Sequence, residues 1–390
     1  MRILLSNKFY YRRGGDCIYM LNLEQLLKTH GHEVAVFAMD YPENIETPWR
    51  KYFPRNMSKL MALTRPFGSR EVRRKFSKLL DDFRPDVVHL NNIHTQLSPV
   101  IAELAHIRGI RVVWTLHDYK LLCPRYDCLC DGKTVCEQCF NGDKTPCRTY
   151  RCMKGSRLAS EVGYREAVMW NRERLEACTD LFICPSRFMA EKMAQGSFRK
   201  DKLKVLCNFI DVEKCRKDDY SKDDYYCYVG RLSHEKGVAT LIEAAARLPY
   251  RLKVIGGGPL SEELRVKNEE LKGNVEFLGY RQWDDIKEIA GRARFTVIPS
   301  EWYENNPLSV IEAECIGTPV LGARIGGIPE LIVEGVSGMT FESGNAEDLE
   351  EKIKAMFAAK FDYLAIADVA MKRYNAENYY GEIMKCYIGL

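Results

Sequence analysis

The chain has 390 residues, more than one compact hydrophobic core usually supports, so two domains of roughly 150 to 200 residues each are expected. A composition of 46% hydrophobic and 29% charged residues is typical of folded proteins, and a net charge of +4 is too small to indicate nucleic-acid binding. No apolar run reaches the roughly 18 residues of a membrane span and the start is too short for a signal peptide, so a cytosolic protein is expected.

The first half of the chain alternates short apolar runs with helical periodicity. A helix is predicted at residues 17–28, and strands are predicted at residues 2–5, 33–38, 87–90, 111–116 and 181–184. Strands that alternate with helices indicate a doubly wound parallel sheet.

The second half repeats this architecture without repeating the sequence. A charged, turn-rich stretch at residues 214–224 is interpreted as a linker region. Strands are predicted at residues 225–229, 253–255, 275–278, 295–298 and 320–321, with helices at 238–248, 260–271 and 307–315. We therefore expect domains at residues 1–207 and 208–372, and a final helical segment, residues 373–390, that packs back on the first domain.

Two segments of the second half fit an anion site. In residues 229–237 (VGRLSHEKG), a glycine turn lets the backbone approach an anion that Arg231 and Lys236 can neutralise, although such a motif by itself more often marks a solvated basic loop. Residues 297–313 form a predicted strand, loop and helix, with Pro307 suited to the first helical position. A helix start binds anions, Glu304 precedes it, and Glu312 lies about 9 Å beyond Asn306 along the axis. Taken alone, Glu312 also fits an exposed helical charge.

From Asn208 to about Phe341 the chain resembles the family 4 retaining glycosyltransferases of the GT-B fold. Six features occur in the family's order: Gly230-Arg231 with Lys236-Gly237, residues 256–259 (GGGP), residues 277–280 (FLGY), Glu304 with Glu312, residues 317–320 (GTPV) and residues 326–330 (GGIPE). In the first half the resemblance rests on Gly14-Gly15 and on residues 86–89 and 115–118. It implies an α/β GT-B fold, with two Rossmann-like doubly wound parallel-sheet domains facing a central cleft.

The resemblance also implies roles for individual residues. Arg231 and Lys236 would bind the donor diphosphate, Glu304 the hydroxyls of the donor sugar, and Glu312 the two ribose hydroxyls. His117 would face the sugar near the reacting carbon. The remaining donor-binding set would be Gly15, Gly230, Gly257, Leu278, Tyr280, Asn306, Leu308 and Ser309. Many family members have glycines where this chain has Asn305-Asn306-Pro307, and Pro307 has no N–H to donate, so neighbouring amides must contact the phosphate.

The expected reaction is transfer of a sugar, with retention, from a nucleotide-sugar to a lipid-linked or polysaccharide acceptor in surface-glycan assembly, such as capsule, O-antigen or exopolysaccharide. UDP is the preferred nucleotide. The sequence contains no Asp-x-Asp metal motif, and two cations can replace a metal's electrostatic role, so metal-independent catalysis is expected. A sugar-nucleotide epimerase or a phosphorylase on a related fold is an alternative, and a zinc-containing nucleic-acid-binding protein is an alternative of another class.

Seven cysteines lie between Cys123 and Cys152, in a loop insertion that we expect to shape the acceptor pocket. Cys136 and Cys139 have the spacing of a zinc knuckle. The preferred structural zinc set is Cys123, Cys136, Cys139 and Cys152, because some bacterial relatives share a similar spacing. Free or partly oxidised thiols and a redox-active pair remain open.

The segment Arg50–Lys78 holds ten Lys or Arg residues, one acid, Glu71, and interleaved apolar side chains that include Tyr52, Phe53, Met57 and Phe76. A basic amphipathic surface is attracted to an anionic leaflet, which would make the protein peripheral on the inner face of the cytoplasmic membrane. A solvated helical face is the alternative interpretation.

Overall fold

The computed structural model describes residues 1–55 and 63–390, and within them the chain divides into two compact units. The first unit comprises residues 1–131, 136–208 and 377–390, and the second comprises residues 132–135 and 209–376. Apart from residues 132–135, the chain passes to the second unit at Phe209 and returns to the first at Glu377.

The first unit is built on a six-stranded sheet. The strands of this half of the chain are β1 (Arg2–Ser6), β2 (Glu33–Phe37), β3 (Val87–Leu90), β4 (Arg111–Thr115), the short β5 (Leu129–Cys130) and β6 (Thr134–Val135), β7 (Leu181–Cys184) and β8 (Leu203–Val205). The helices are α1 (Gly15–Thr29), α2 (Arg70–Phe83), α3 (Val100–His106), α4 (Thr145–Thr149), α5 (Arg157–Met169), α6 (Arg172–Ala177) and α7 (Arg187–Gln195). The sheet order is β2-β1-β3-β4-β7-β8, and every neighbouring pair is parallel.

The second unit repeats this plan with strands β9 (Tyr225–Val229), β10 (Arg251–Ile255), β11 (Val275–Gly279), β12 (Thr296–Ile298), β13 (Val320–Ala323) and β14 (Gly338–Phe341). Its helices are α8 (Val238–Ala246), α9 (Ser261–Glu270), α10 (Trp283–Arg292), α11 (Leu308–Cys315), α12 (Ala346–Ala358) and α13 (Tyr363–Arg373). The sheet order is β11-β10-β9-β12-β13-β14, again parallel throughout. The predicted pair of doubly wound parallel sheets is confirmed.

Sequence and burial explain why these segments form strands and helices. All residues of β3, β12 and β13 are buried, as expected for parallel strands covered on both faces. Polar side chains cap several helix starts: Ser69 accepts from the Val72 N–H, and Asn345 accepts from the N–H groups of Glu347 and Asp348.

Residues 214–224 are not a free linker, because they belong to the second unit and make specific contacts there. Asp223 pairs with Arg292 at 2.7 Å, and Lys222 Nζ donates to the Gly291 carbonyl at 2.8 Å. The irregular backbone of this stretch therefore packs on its own unit.

The last helix, α14 (Ala376–Ile388), lies in the first unit apart from its first residue. Its Tyr387 hydroxyl lies 2.6 Å from Nδ1 of the buried His89, and its Tyr379 hydroxyl is hydrogen-bonded to Tyr19. Within residues 1–55 and 63–390, no helix has the length and apolar character needed to cross a bilayer.

Candidate functional site

Residues 230–237 connect β9 to α8 and are held by the neighbouring loop after β10. The Gly230 N–H donates to the Ile255 carbonyl, and the Leu232 N–H to the Gly257 carbonyl, both at 3.0 Å. A Cβ on Gly256, whose φ is +131°, would lie 1.9 Å from the Gly230 carbonyl oxygen. Only glycine permits this approach, so the two loops pack closely against each other at the carboxyl ends of β9 and β10.

Arg231 provides an unpaired positive charge on the loop after β9. Its side chain is exposed, and in the part of the chain that the structure describes no acceptor or carboxylate pairs with the guanidinium. Its backbone carbonyl accepts from the Tyr228 hydroxyl at 2.8 Å, which fixes the main chain beneath it. The guanidinium is therefore available to an anionic ligand.

Lys236 and Glu304, predicted to contact different parts of a ligand, pair with each other. Lys236 Nζ lies 2.5 Å from Glu304 Oε1, which also accepts from the Ser300 hydroxyl at 2.8 Å. Burial would raise the pKa of Glu304, but the ammonium group and the hydrogen bonds outweigh it, so the pKa is lowered below its ordinary value. At neutral pH this carboxylate is charged, and much of the Lys236 charge is already neutralised.

The turn at Gly326-Gly327 positions Glu304. The Gly327 N–H donates to the Glu304 carbonyl at 2.7 Å, and a Cβ on Gly326, whose φ is +61°, would lie 2.2 Å from the same oxygen. The Gly-Gly pair in residues 326–330 therefore supports the acidic loop through its backbone, a role that sequence alone did not indicate.

Helix α11 begins at Leu308, one residue later than predicted. Pro307 is its N-cap, with φ −68° and ψ 121°, and no side chain caps the helix there. The extended ψ takes Pro307 out of the helix, which corrects its placement at the first helical position. The N–H groups of Leu308 and Ser309 have no acceptor within the helix and carry the positive end of its dipole.

Glu312 lies one turn into α11 and is half-buried. Its carboxyl group forms no hydrogen bond or ion pair with any residue that the structure describes. Burial raises its pKa to about 7. An unpaired carboxyl of this kind can accept hydrogen bonds from a ligand's hydroxyl groups.

The other predicted residues of the second unit lie at the same edge of the sheet. Leu278 is near the end of β11, and Tyr280, 77% exposed, follows it. Gly257 is exposed, with nothing within 4 Å of the position of a Cβ. Asn306 is buried directly before Pro307. Ligands of open parallel sheets bind at the carboxyl ends of the strands, which is where these residues lie.

His117 and Gly15 belong to the first unit. His117 follows β4, with Nε2 3.0 Å from Asn91 Oδ1 and its ring edge-to-face with Tyr19 at 4.9 Å. Burial lowers its pKa, although Asp16 and Asp118 oppose the shift. Gly15 is the exposed first residue of α1. Sequence reasoning missed Asn91; its position directly after the buried strand β3 was the available signal.

The four predicted zinc ligands, Cys123, Cys136, Cys139 and Cys152, line one cavity of about 10 Å³ together with Cys147. They are free thiols. Among residues 1–55 and 63–390, however, no three His, Cys, Asp or Glu side chains are already arranged to hold a metal ion. Zinc binding stays a prediction.

Within the described parts of the basic segment, residues 50–55 and 63–78, three of the apolar side chains expected on its surface do not face solvent, and Met57 lies outside the described residues. Tyr52, Phe53 and Phe76 are buried in the core. Several cations are paired with acids: Arg50 with Asp40 at 2.9 Å, Lys75 with Glu71 at 3.5 Å and Lys78 with Asp82 at 2.9 Å. Arg70 and Arg74 are exposed without such a partner in the described chain.

Comparison with known proteins agrees with this fold. A 42.6 kDa protein in the cps region of Klebsiella pneumoniae, uncharacterized, is 26% identical over 355 residues, which cover 85% of this chain and 87% of the relative. The amylovoran biosynthesis glycosyltransferase AmsK of Erwinia amylovora is 26% identical over 219 residues, covering 52% of this chain and 54% of AmsK. The chain thus spans about half the length of some curated relatives that it matches, 49% and 54% in two cases.

The structure of Anabaena Alr3699/HepE in complex with UDP superimposes with a TM-score of 0.71 at 19% identity, covering 100% of both chains. The model of the group 1 glycosyl transferases matches residues 211–373. The model of glycosyltransferase family 4 matches residues 13–214, more than half of the 390 residues. The chain is therefore a glycosyltransferase with the GT-B fold and belongs to glycosyltransferase family 4.

Proposed function

We propose that the chain transfers a sugar, with retention, from a UDP-sugar to a lipid-linked or polysaccharide acceptor in surface-glycan assembly. The observation that carries the proposal is the unpaired Arg231 on the loop after β9, together with the Lys236–Glu304 pair of the same unit. The UDP bound to HepE supports the nucleotide, and the part of AmsK in amylovoran biosynthesis supports the acceptor class.

In this reaction the bond between the sugar's anomeric carbon and the diphosphate oxygen breaks, and the electron pair leaves with the nucleoside diphosphate. The acceptor hydroxyl oxygen forms the new bond on the same face, and its proton passes to the departing diphosphate. Arg231, Lys236 and the N–H groups at the start of α11 would stabilise the negative charge that develops there. Glu304 is held by Lys236 and Ser300, which suits hydroxyl binding better than nucleophilic attack.

A nucleotide-sugar panel tests the proposal. A ligand that binds only the folded chain raises its stability by mass action, about 2.7 kcal/mol at a hundredfold excess over Kd. We expect UDP-sugars to raise the Tm more than the GDP-, ADP- or CDP-linked sugars, and product to form only when an acceptor is added. Product formation without an acceptor would indicate an epimerase, and no shift with any nucleotide-sugar would contradict the proposal.

We expect donor affinity to fall as the pH falls through about 7, because Glu312 has a pKa of about 7 and only its ionised form accepts from both ribose hydroxyls. Both phosphates of a UDP-sugar are esterified, so the ligand itself does not titrate in this range. Uptake of one proton by Glu312 should therefore raise the Kd of a UDP-sugar roughly tenfold from pH 8 to pH 6. Titration calorimetry of wild type and Glu312→Gln measures this. The variant should bind the UDP-sugar more weakly, and its Kd should not change with pH. If the variant keeps the pH dependence of wild type, a group other than Glu312 is responsible for it.

Catalysis without a metal ion is part of the proposal, since two cations and a helix start can serve the leaving group. Transfer should gain nothing from added magnesium or manganese, and EDTA should remove no activity that either ion restores. A loss that either ion restores would contradict this.

A structural zinc ion at Cys123, Cys136, Cys139 and Cys152 is also proposed, on the strength of their shared cavity. Protein purified without chelator should contain close to one zinc per chain, and the matched Cys178→Ser variant, which alters a buried cysteine outside the cavity, should retain it. Zinc-free protein, or zinc that Cys136→Ser and Cys139→Ser leave in place, would contradict this proposal.

We also propose that the exposed Arg70 and Arg74 attach the chain to an anionic membrane surface. Each cation near such a surface contributes about 1 kcal/mol to the binding free energy. Binding to vesicles with anionic lipid should weaken in Arg70→Ala/Arg74→Ala and in high salt. Equal co-sedimentation of the variant, or binding to neutral vesicles, would contradict it.

A further inference from the structure

His117 has one ring nitrogen engaged by the protein and the other open. Nε2 lies 3.0 Å from Oδ1 of Asn91. Nδ1 forms no hydrogen bond with any part of the chain that the structure describes, and His117 as a residue is partly exposed. The free nitrogen is therefore the one that a ligand can reach.

The side-chain amide of Asn91 has its orientation fixed by Ser6. Asn91 is 1% exposed, and its Nδ2 lies 3.3 Å from the Ser6 carbonyl oxygen, which also accepts from the Asn91 backbone N–H at 2.9 Å. A carbonyl oxygen only accepts, so the group that faces it must be the NH₂. Turning the amide over would bring two oxygens together, and therefore Oδ1 faces His117.

The backbone of Asn91 is anchored as well. Its carbonyl oxygen accepts from the indole Nε1 of Trp114, at the end of the neighbouring strand β4, at 3.0 Å. Both the main chain and the amide are thus held by groups that do not titrate. The contact with His117 comes from a rigid acceptor.

Because Oδ1 only accepts, the His117 nitrogen that faces it must carry the hydrogen. We infer that Asn91 is a positioning residue that holds His117 as the neutral Nε2–H tautomer, so that the Nδ1 lone pair is available to accept a hydrogen bond from a hydroxyl of a sugar substrate. This inference rests on the proposed function, since the hydroxyl belongs to a sugar that the proposed reaction uses.

The surroundings keep the ring neutral at pH 7. Burial lowers the pKa of His117 below its ordinary value, and the Lys8 ammonium acts in the same direction. His89 is neutral, because burial lowers its pKa to about 3. The groups that face His117 are Asp16 and Tyr19 of α1, Lys8 after β1, His89 of β3 and Asp118 beside it.

The tautomer is measured without substrate. Long-range ¹H–¹⁵N correlation spectra of protein labelled at the histidine rings distinguish the two tautomers, and His117→Gln identifies the signal. We expect the Nε2–H pattern at pH 7.5. An Nδ1–H pattern or a charged ring overturns the inference, even if Asn91 variants do not fold. The spectrum is recorded without any nucleotide-sugar, so its result does not depend on the nucleotide-sugar panel. Failure of the proposed function and failure of this inference can therefore be told apart.

Asn91→Asp tests the functional consequence. A carboxylate beside Nε2 should raise the pKa of His117 by about 1 to 3 units. The acid limb of the pH–rate profile should therefore move to higher pH by the same amount, and transfer should recover at pH 9. Asn92→Asp adds the same charge at the next residue, where Lys8, 3.1 Å from the side-chain oxygen, largely neutralises it, so the pH profile should move much less than in Asn91→Asp. Equal profiles for the two variants overturn the inference.

Discussion

Replacing Arg231 and Lys236 together by alanine should nearly abolish transfer. Removing one preorganised group that stabilises developing charge costs roughly 10² to 10³ in kcat, and the pair should cost more, though less than the product of the single effects. Arg231→Ala should weaken donor affinity more than Lys236→Ala, because Glu304 already neutralises Lys236 in the free protein. Initial rates and donor Kd values for the single and double variants measure both effects.

The matched control for this pair is Lys352→Ala/Lys354→Ala on α12, which removes the same charge from the same unit. It should keep wild-type rates. If the control loses as much activity as the test pair, the effect is one of net charge and not of the anion site. If Arg231→Ala/Lys236→Ala turns over normally, these residues do not serve the leaving group.

Lys236→Met should destabilise the second unit, because it leaves the Glu304 carboxylate, 7% exposed, without its cation. Breaking a buried ion pair costs about 3–5 kcal/mol, but the Lys236 side chain is 26% exposed, so about 1–3 kcal/mol is expected. Adding Glu304→Gln should restore most of the free energy of unfolding, since no charge is then left unpaired. Urea denaturation of the four members of the double-mutant cycle measures the coupling.

The coupling free energy between Lys236 and Glu304 should also depend on pH. The pKa of Glu304 is lowered in the folded chain, so its contribution to stability is fully present above the ordinary glutamate pKa and is lost as the pH falls through the lowered value. The coupling measured at pH 7 should therefore shrink in acid. A coupling near zero at pH 7 would mean that the pair does not hold the acidic loop.

The sequence predicted the elements whose patterns are local. Buried apolar strands such as β3 and β9 stand out as short runs of large side chains, and the predicted bounds agree for both. Strand β8 was missed because it has only three residues, with Lys204 at its centre, and none of them is buried. Strand β14 begins with glycine and gives a similarly weak pattern.

Much of the candidate site could be predicted as a set of chemical groups, but not as pairings. Arg231 and Glu312 are polar residues in a glycine turn and a helix, which sequence reveals directly. The contact between Lys236 and Glu304 joins two loops 68 residues apart, and the contact between Asn91 and His117 joins the ends of two strands. Such contacts depend on strand order, which periodicity does not give.

The measurement that tests the account most directly is the difference in affinity between UDP and uridine. If two cations and the start of α11 bind the diphosphate, wild type should bind UDP at least about a hundredfold more tightly than uridine, a difference of roughly 2.7 kcal/mol. In Arg231→Ala/Lys236→Ala that difference should fall below about tenfold, with uridine affinity unchanged. A difference that survives intact in the double variant would contradict the account.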